Sequence, residues 1–195
     1  MNTFRKIACN LSLMGAAFVT VFTAVDAHAS GTVLITPPAA SVTVGDSFAV
    51  QVRGSSFTDN VVGGGFDLNF NPSLLRLTSV SVDTSVWEFV SSNGTINNTL
   101  GTLSEVYFNS FRPILPTGNF AIATLQFTAL AVGSSLLTVT GSPNFPFAND
   151  LAEVISVNFQ GGSVTAVPEP ASMALLTLGL LGVGWRLRAA SRSAA

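Results

Sequence analysis

The sequence predicts an all-β fold, a two-sheet antiparallel sandwich, and three observations predict it. Between Ser30 and Val167, β-branched and aromatic residues alternate with polar ones at period two. Glycine, proline, asparagine and serine interrupt the alternation at short intervals. No stretch of this region carries the apolar period of an amphipathic helix. Many short strands without helices bury their apolar faces by packing one sheet on another.

Taken in order, Thr32 to Thr36 and Ser41 to Val44 open the region as strands. In Phe48 to Arg53 the apolar residues take one face, and Phe66, Leu68 and Phe70 do so against Asp67, Asn69 and Asn71. Leu75 to Val82 follows, and Val106 and Phe108 alternate with Glu105, Tyr107 and Asn109. Ala121 to Leu130, Ser135 to Thr140, Val154 to Phe159 and Ser163 to Val167 complete the set. Turns are expected at Gly45-Asp46, Asn71-Pro72, Asn93-Gly94, Pro116-Thr117-Gly118, Val132-Gly133-Ser134 and Gly161-Gly162. Gly63-Gly64-Gly65 precedes a strand rather than a helix, which marks a bulge or tight bend and not a phosphate cradle.

This middle region spans 138 residues, the size of one domain with a real core. It carries eight acidic residues against Arg53, Arg76 and Arg112 and no lysine, so nucleic acid and anionic lipid are poor partners. The only cysteine, Cys9, and the only histidine, His28, both precede it. That excludes Cys or His nucleophiles, Cys/His zinc sites and imidazole acid–base work, and no cofactor is expected. Stability has to come from packing without a disulfide.

The two ends carry addresses. Arg5 and Lys6, an apolar stretch from Ile7 to Val25, and Ala27-His28-Ala29 before Ser30 form a secretory signal peptide over residues 1–29, a client of the Sec machinery. At the other end Val167-Pro168-Glu169-Pro170 leads into an apolar run from Ala171 to Trp185 and then to the membrane-stop residues Arg186, Arg188 and Arg192. As a helix the run has 15 residues and is about 22 Å long. Extended through Arg188 it reaches about 27 Å, a marginal transmembrane span of a hydrocarbon core of about 30 Å. The arginines should stay cytoplasmic and leave the body outside. Pro170 suits the first helical turn and Pro168 keeps the junction extended.

Residues 168–195 resemble the PEP-CTERM sorting signal of Gram-negative bacteria. The resemblance implies recognition by an exosortase, cleavage near Pro168 to Pro170, an inner-membrane intermediate, and export to a cell surface or exopolysaccharide-rich matrix. Between the addresses, Ser41-Val-Thr-Val-Gly-Asp-Ser-Phe-Ala-Val-Gln-Val, Gly65-Phe-Asp-Leu-Asn-Phe-Asn-Pro-Ser-Leu-Leu-Arg-Leu, Ala123-Thr-Leu-Gln-Phe-Thr-Ala-Leu-Ala-Val-Gly-Ser-Ser and the closing Gly162-Ser-Val-Thr stretch resemble a cohesin-type domain. That resemblance covers residues 30–167 and implies a jelly-roll sandwich of about nine strands, with a sheet face that in cellulosomal relatives docks a calcium-loaded dockerin.

Within the body, Asp67, Asn69 and Asn71 copy the opening ligands of an EF-hand loop, but Pro72 stands where glycine is needed and Thr78 where the bidentate glutamate should be. No metal site is read from them. On a strand they form a polar stripe, either an ordinary solvated face or one that hydrogen-bonds a sugar or a partner. Tyr107, on the polar side of its strand beside Glu105, and Trp87, for which either face fits and core packing is the first reading, are the aromatic rings with polar tips that suit stacking on a sugar. Phe57, Phe111, Phe145 and Phe147 fall in turn-rich segments and suit the covering of sheet ends. Glu88 and Glu105 are the carboxylates a glycosidase would need to bring together, and nothing in their spacing does so. The reading is a non-catalytic exported protein whose partner is an exopolysaccharide or a dockerin-like protein. Its alternatives are a self-associating matrix component and an accessory of a polysaccharide-degrading complex.

Overall fold

The computed structural model describes residues 29–169 and 175–181. Twelve strands run in chain order as β1 (Gly31–Thr36), β2 (Ala39–Thr43), β3 (Ser47–Phe57), β4 (Val61–Asn69), β5 (Leu75–Val82), β6 (Val90–Asn97), β7 (Thr102–Asn109), β8 (Gly118–Ala129), β9 (Gly133–Gly141), β10 (Ala148–Asn149), β11 (Val157–Gln160) and β12 (Gly162–Val167). They form a five-stranded sheet, β11-β1-β3-β8-β5, packed on a seven-stranded one, β2-β12-β9-β4-β7-β6 with β10 on β4. This is the two-sheet β-sandwich expected from the alternation.

The pairing is antiparallel except at β1–β11 and β2–β12, which are parallel. Both exceptions have one cause. The first and last segments run side by side in the same direction, and each crosses from the five-stranded to the seven-stranded sheet. β1 breaks at Pro37-Pro38, where no N–H is available to continue a ladder, and resumes as β2. β11 breaks at Gly161, whose Cβ would lie 2.3 Å from the Leu137 carbonyl oxygen, and resumes as β12. Ser163 N–H donates to Pro38 O (2.9 Å) and ties the two crossings together.

On the opposite side, side chains close the gap between the sheets. Asn93 accepts from Val82 N–H (3.0 Å), while Asn98 accepts from Leu77 N–H (2.9 Å) and donates to Leu77 O (3.0 Å). Amides on and just beyond β6 thereby take up the Leu77 and Val82 donors on the free edge of β5.

β6 is a strand the alternation does not announce, because Val90–Asn97 is mostly small and polar and Asn93-Gly94 reads as a turn. Gly94 instead sits within the strand at φ +71°, and a Cβ there would meet Ser104 O at 2.5 Å. Of the expected strand Val154 to Phe159, residues before Val157 make only an isolated bridge, Val154 to Ala148. The core between the sheets holds Trp87, Phe66, Phe108, Phe127, Leu68, Leu125 and Ile122, all buried. Each such side chain contributes roughly 1.5–3 kcal/mol by leaving water.

The chain enters and leaves this body at opposite ends. Ser30 is buried, its N–H donating to Ser156 O (2.8 Å), its hydroxyl donating to Asp59, and its carbonyl accepting from Thr58 N–H. At the far end Val167 lies opposite Thr43 and accepts from Val44 N–H (3.0 Å). Residues 175–181 of the apolar tail are helical, and among the described residues no helix is long and apolar enough to cross a membrane. The signal peptide through His28, with Ala27, and the tail residues Pro170, Arg186, Arg188 and Arg192 lie outside the described residues.

Candidate binding face

The outer face of the seven-stranded sheet gathers most of the residues singled out above. Its centre is a β-bulge. β7 pairs with β4 as Gly65 to Tyr107 and Phe66 to Val106, then jumps to Leu68 opposite Leu103, so Ser104 and Glu105 together face Asp67. Glu105 takes φ +58°, and the N–H released from the ladder is received by Asp67 Oδ1 at 2.7 Å. The bulge keeps Leu103, Val106 and Phe108 in the core while Glu105 and Tyr107 face outward.

A loop then folds across this strand pair. The Tyr107 and Phe145 rings stack with centroids 4.3 Å apart and planes 27° apart, and Asn144 Nδ2 donates to Glu105 Oε1 at 2.6 Å. Two of the three glycines of β4 make room for the loop, while Gly63 makes room for β7, where its Cβ would lie 2.5 Å from Phe108 O. A Cβ on Gly65 would stand 2.8 Å from Phe145 Cβ, and one on Gly64 would stand 2.6 Å from the Phe147 ring. Side chains of adjacent strand residues point to opposite faces, so the loop straddles β4 with Phe145 outside and Phe147 buried against Phe57 and Phe108. Gly63-Gly64-Gly65 is therefore a place of close approach within a paired strand, with a register shift against β10 at its start, between Val61 and Gly63, and a second against β7 just after it, between Phe66 and Leu68.

Asn69 lies on the same outer face, with Thr138 and Thr102 as its cross-strand neighbours. Asn71 does not. It follows the strand, and its Oδ1 accepts from Ser73 N–H (3.0 Å) to start the turn into β5. Trp87 is in the core, with its indole N–H donating to Ala121 O (2.9 Å) and its ring against Phe108 and Phe120. The turn from Asp83, whose carbonyl accepts from Trp87 N–H, aims it inward. The stripe of Asp67, Asn69 and Asn71 is thus a strand end and not a loop that wraps an ion, and among the described residues no three His, Cys, Asp or Glu side chains converge on a metal position.

The face also holds residues that the sequence reading did not assign to it: Phe145, Asn144, and the exposed Leu136 beside Thr138 and Thr140 on β9. At its upper margin it drops into an apolar cleft of about 200 Å³ lined by Phe145, Phe147, Ile155, Val157 and Phe159. Its charge is carried by Asp67 and Glu105, whereas Arg53 and Arg76 lie on the outer face of the other sheet.

Glu88 is elsewhere, in the loop between β5 and β6, bonded to Arg112 Nε (3.2 Å) and accepting from Phe111 N–H (3.0 Å). Desolvation pushes its carboxyl up. Hydrogen bonds from its own backbone, Ser110 and Phe111, together with the Arg112 charge, outweigh that and hold it below its ordinary value. A glycosidase acid needs the opposite shift and a second carboxylate within about 10 Å. Glu105 and Phe111 are about 20 Å of extended chain apart.

The chain matches the family model of the cohesin domain over residues 33–165 and that of the PEP-CTERM protein-sorting motif over residues 166–189. Among solved structures it is similar to the sixth cohesin of scaffoldin B from Acetivibrio cellulolyticus, in complex with a dockerin, at TM-score 0.59 and 16% identity, covering 71% of this chain and 99% of that one. It is similar to a non-cellulosomal cohesin from the archaeon Archaeoglobus fulgidus at TM-score 0.58 and 14% identity, covering 75% and 97%. A cohesin module from a Clostridium perfringens family 33 glycoside hydrolase gives TM-score 0.60 and 12% identity, covering 73% and 100%. At these identities the likeness is one of fold. No curated protein sequence matches the chain.

Proposed function

The chain belongs to the cohesin family, and from that membership we propose that it is an exported, non-catalytic binding protein that captures a dockerin-like protein on the outer face of its seven-stranded sheet. The observation that carries the reading is the Tyr107–Phe145 stack fixed beside Glu105 and Asp67. A rigid aromatic pair at the middle of a sheet face, ringed by carboxylates and hydroxyls, has the makeup of a protein-docking centre. The acidic pair favours a partner that brings Arg or Lys to it. Calcium, where it is needed, belongs to the partner.

The sorting segment supports export to the cell surface or its surrounding matrix, with an exosortase cutting in Pro168 to Pro170 after the signal peptide is removed between Ala29 and Ser30. A second reading is favoured by the same stacked rings, which also suit an exopolysaccharide, since a sugar packs its C–H face on an aromatic surface. Titration calorimetry of the full chain against dockerin domains, with calcium and with chelator, separates the two when run beside a glycan array. Saturable dockerin binding that falls at least tenfold in Tyr107→Ala supports the first reading. A glycan signal lost in the same variant, with no dockerin binding, replaces it with the second.

A further inference from the structure

The last strand runs straight into the sorting segment. β12 ends at Val167, still bonded to Val44 N–H, and the apolar run begins at Ala171. The four steps from Val167 to Ala171 span at most about 14 Å. Glu169 stays close to this end, its Oε1 lying 3.9 Å from a Cβ built on Gly45. Whatever holds the apolar tail therefore also holds this end of the sandwich.

That end is made of the turns after β2, β4, β6 and β8, drawn together by Gly45 N–H on Ala129 O (2.9 Å), Leu130 N–H on Leu74 O (2.8 Å) and Phe70 N–H on Gly101 O (2.9 Å). Three large apolar side chains project from it into solvent: Leu130 at 46% exposure, Val132 at 57% and Leu100 at 69%. The acidic residues here are Asp46 in the turns and Glu169 beside Gly45, and Arg76, just inside the same end on β5, forms no salt bridge with an acidic side chain among the described residues. Apolar side chains at loop tips, with one basic residue behind them, match the layering of a lipid interface, where hydrocarbon lies below phosphate.

We propose that this end of the sandwich is a lipid-contacting surface, with Leu130, Val132 and Leu100 entering the interface of a phospholipid bilayer while the tail is inserted and Arg76 meeting the headgroups. The proposal rests on the sorting reading of the tail. Cleavage in Pro168 to Pro170 removes the tether and leaves three loop side chains, too few to retain the protein, so processing releases it. The apolar patch of Phe89, Phe111 and Ile114 sits at the opposite end, roughly 30 Å away along the strands, and does not reach the same bilayer.

The test is fluorescence quenching in phosphatidylcholine vesicles. The full chain carries Cys9→Ser and one bimane-labelled cysteine at a time, from Ala131→Cys, Thr99→Cys, Ile114→Cys or Leu178→Cys, and the quencher is spin-labelled phosphatidylcholine. The expected result is strong quenching at 178, clear quenching at 131 and 99, and none at 114. Adding Leu130→Ser with Val132→Ser should reduce the quenching at 131 several-fold and leave 178 unchanged. Quenching at 178 with 131 and 99 as silent as 114, or with 131 indifferent to the serine substitutions, overturns the lipid surface and leaves the tail reading intact. Silence at 178 overturns the tail reading and the proposal with it.

Discussion

The two outer faces of the sandwich are built differently from similar amino acids. On the five-stranded sheet, Gln51, Arg53, Thr124, Gln126 and Ser81 face outward on ladders that shift register between Val52 and Arg53 and between Leu77 and Ser79, with no aromatic ring among them. On the seven-stranded sheet the same kind of ladder is interrupted by the Glu105 bulge, capped by Asp67 and crossed by a loop that stacks Phe145 on Tyr107. A left-handed non-glycine residue costs free energy that regular pairing would avoid. Ser56 on β3 is left-handed too, at φ +56°, so what sets the seven-stranded face apart is the aromatic stack and the loop laid over its bulge, and the five-stranded face serves as its internal control.

The sharpest way to break this comparison is to move an aromatic deletion between core and face. Trp87→Ala empties a position that no water reaches and leaves the Ala121 carbonyl without its donor. It should cost about 3–5 kcal/mol in urea denaturation while leaving partner affinity per folded molecule unchanged. Tyr107→Ala should do the reverse. It should weaken partner binding by about 2 kcal/mol in titration calorimetry and change stability far less, whereas Thr124→Ala on the five-stranded face should leave binding unaltered. If both alanine variants weaken binding equally, the two faces are not functionally distinct.

A smaller difference separates the charged residues of the two faces. Asp67→Ala leaves the Glu105 N–H without its acceptor and should cost about 1–2 kcal/mol in the same denaturation experiment. Arg53 bonds only Gln51 at the surface, so Arg53→Ala should stay within about 0.5 kcal/mol of the parent. Equal losses would mean that the bulge does not depend on its cap.

Legibility in the sequence follows the same division. Where a strand has one wet and one dry face, as in Phe48 to Arg53 or Phe66 to Phe70, alternation reveals it, because side-chain direction has period two. β6 is hidden because its stability comes from pairing with β7 and from the amides it lends to β5, neither of which marks the local sequence. The direction of Trp87 is set by the turn at Asp83, and a strand-based reading has no access to that turn. On the face itself, Asp67, Asn69, Glu105 and Tyr107 were legible from parity. Phe145 and Asn144 lie some 40 residues further along the chain and join the face by tertiary folding. The only trace of that approach in the sequence is Gly63-Gly64-Gly65, where missing side chains on successive residues make room on both faces of the strand.

The smallest expected effect tests whether charge at the loop end is separate from charge on the face. Glu88 has its carboxyl held below the ordinary value of 4.5 by the hydrogen bonds and the Arg112 ion pair that outweigh its desolvation. The folded-state value is the lower one, so the unfolded chain binds the proton more readily. The stabilisation is complete above the ordinary carboxylate value and disappears as pH falls through the depressed folded value. Glu88→Gln cannot titrate, so its stability should fall less steeply than the parent's when denaturation midpoints are followed from neutral pH down to about 3. Partner affinity at neutral pH should not move, because Glu88 and Arg112 sit at the sheet end and not beside Tyr107. A parallel loss of affinity in Glu88→Gln would extend the binding surface over the end of β7 and merge the two regions that the structure keeps apart.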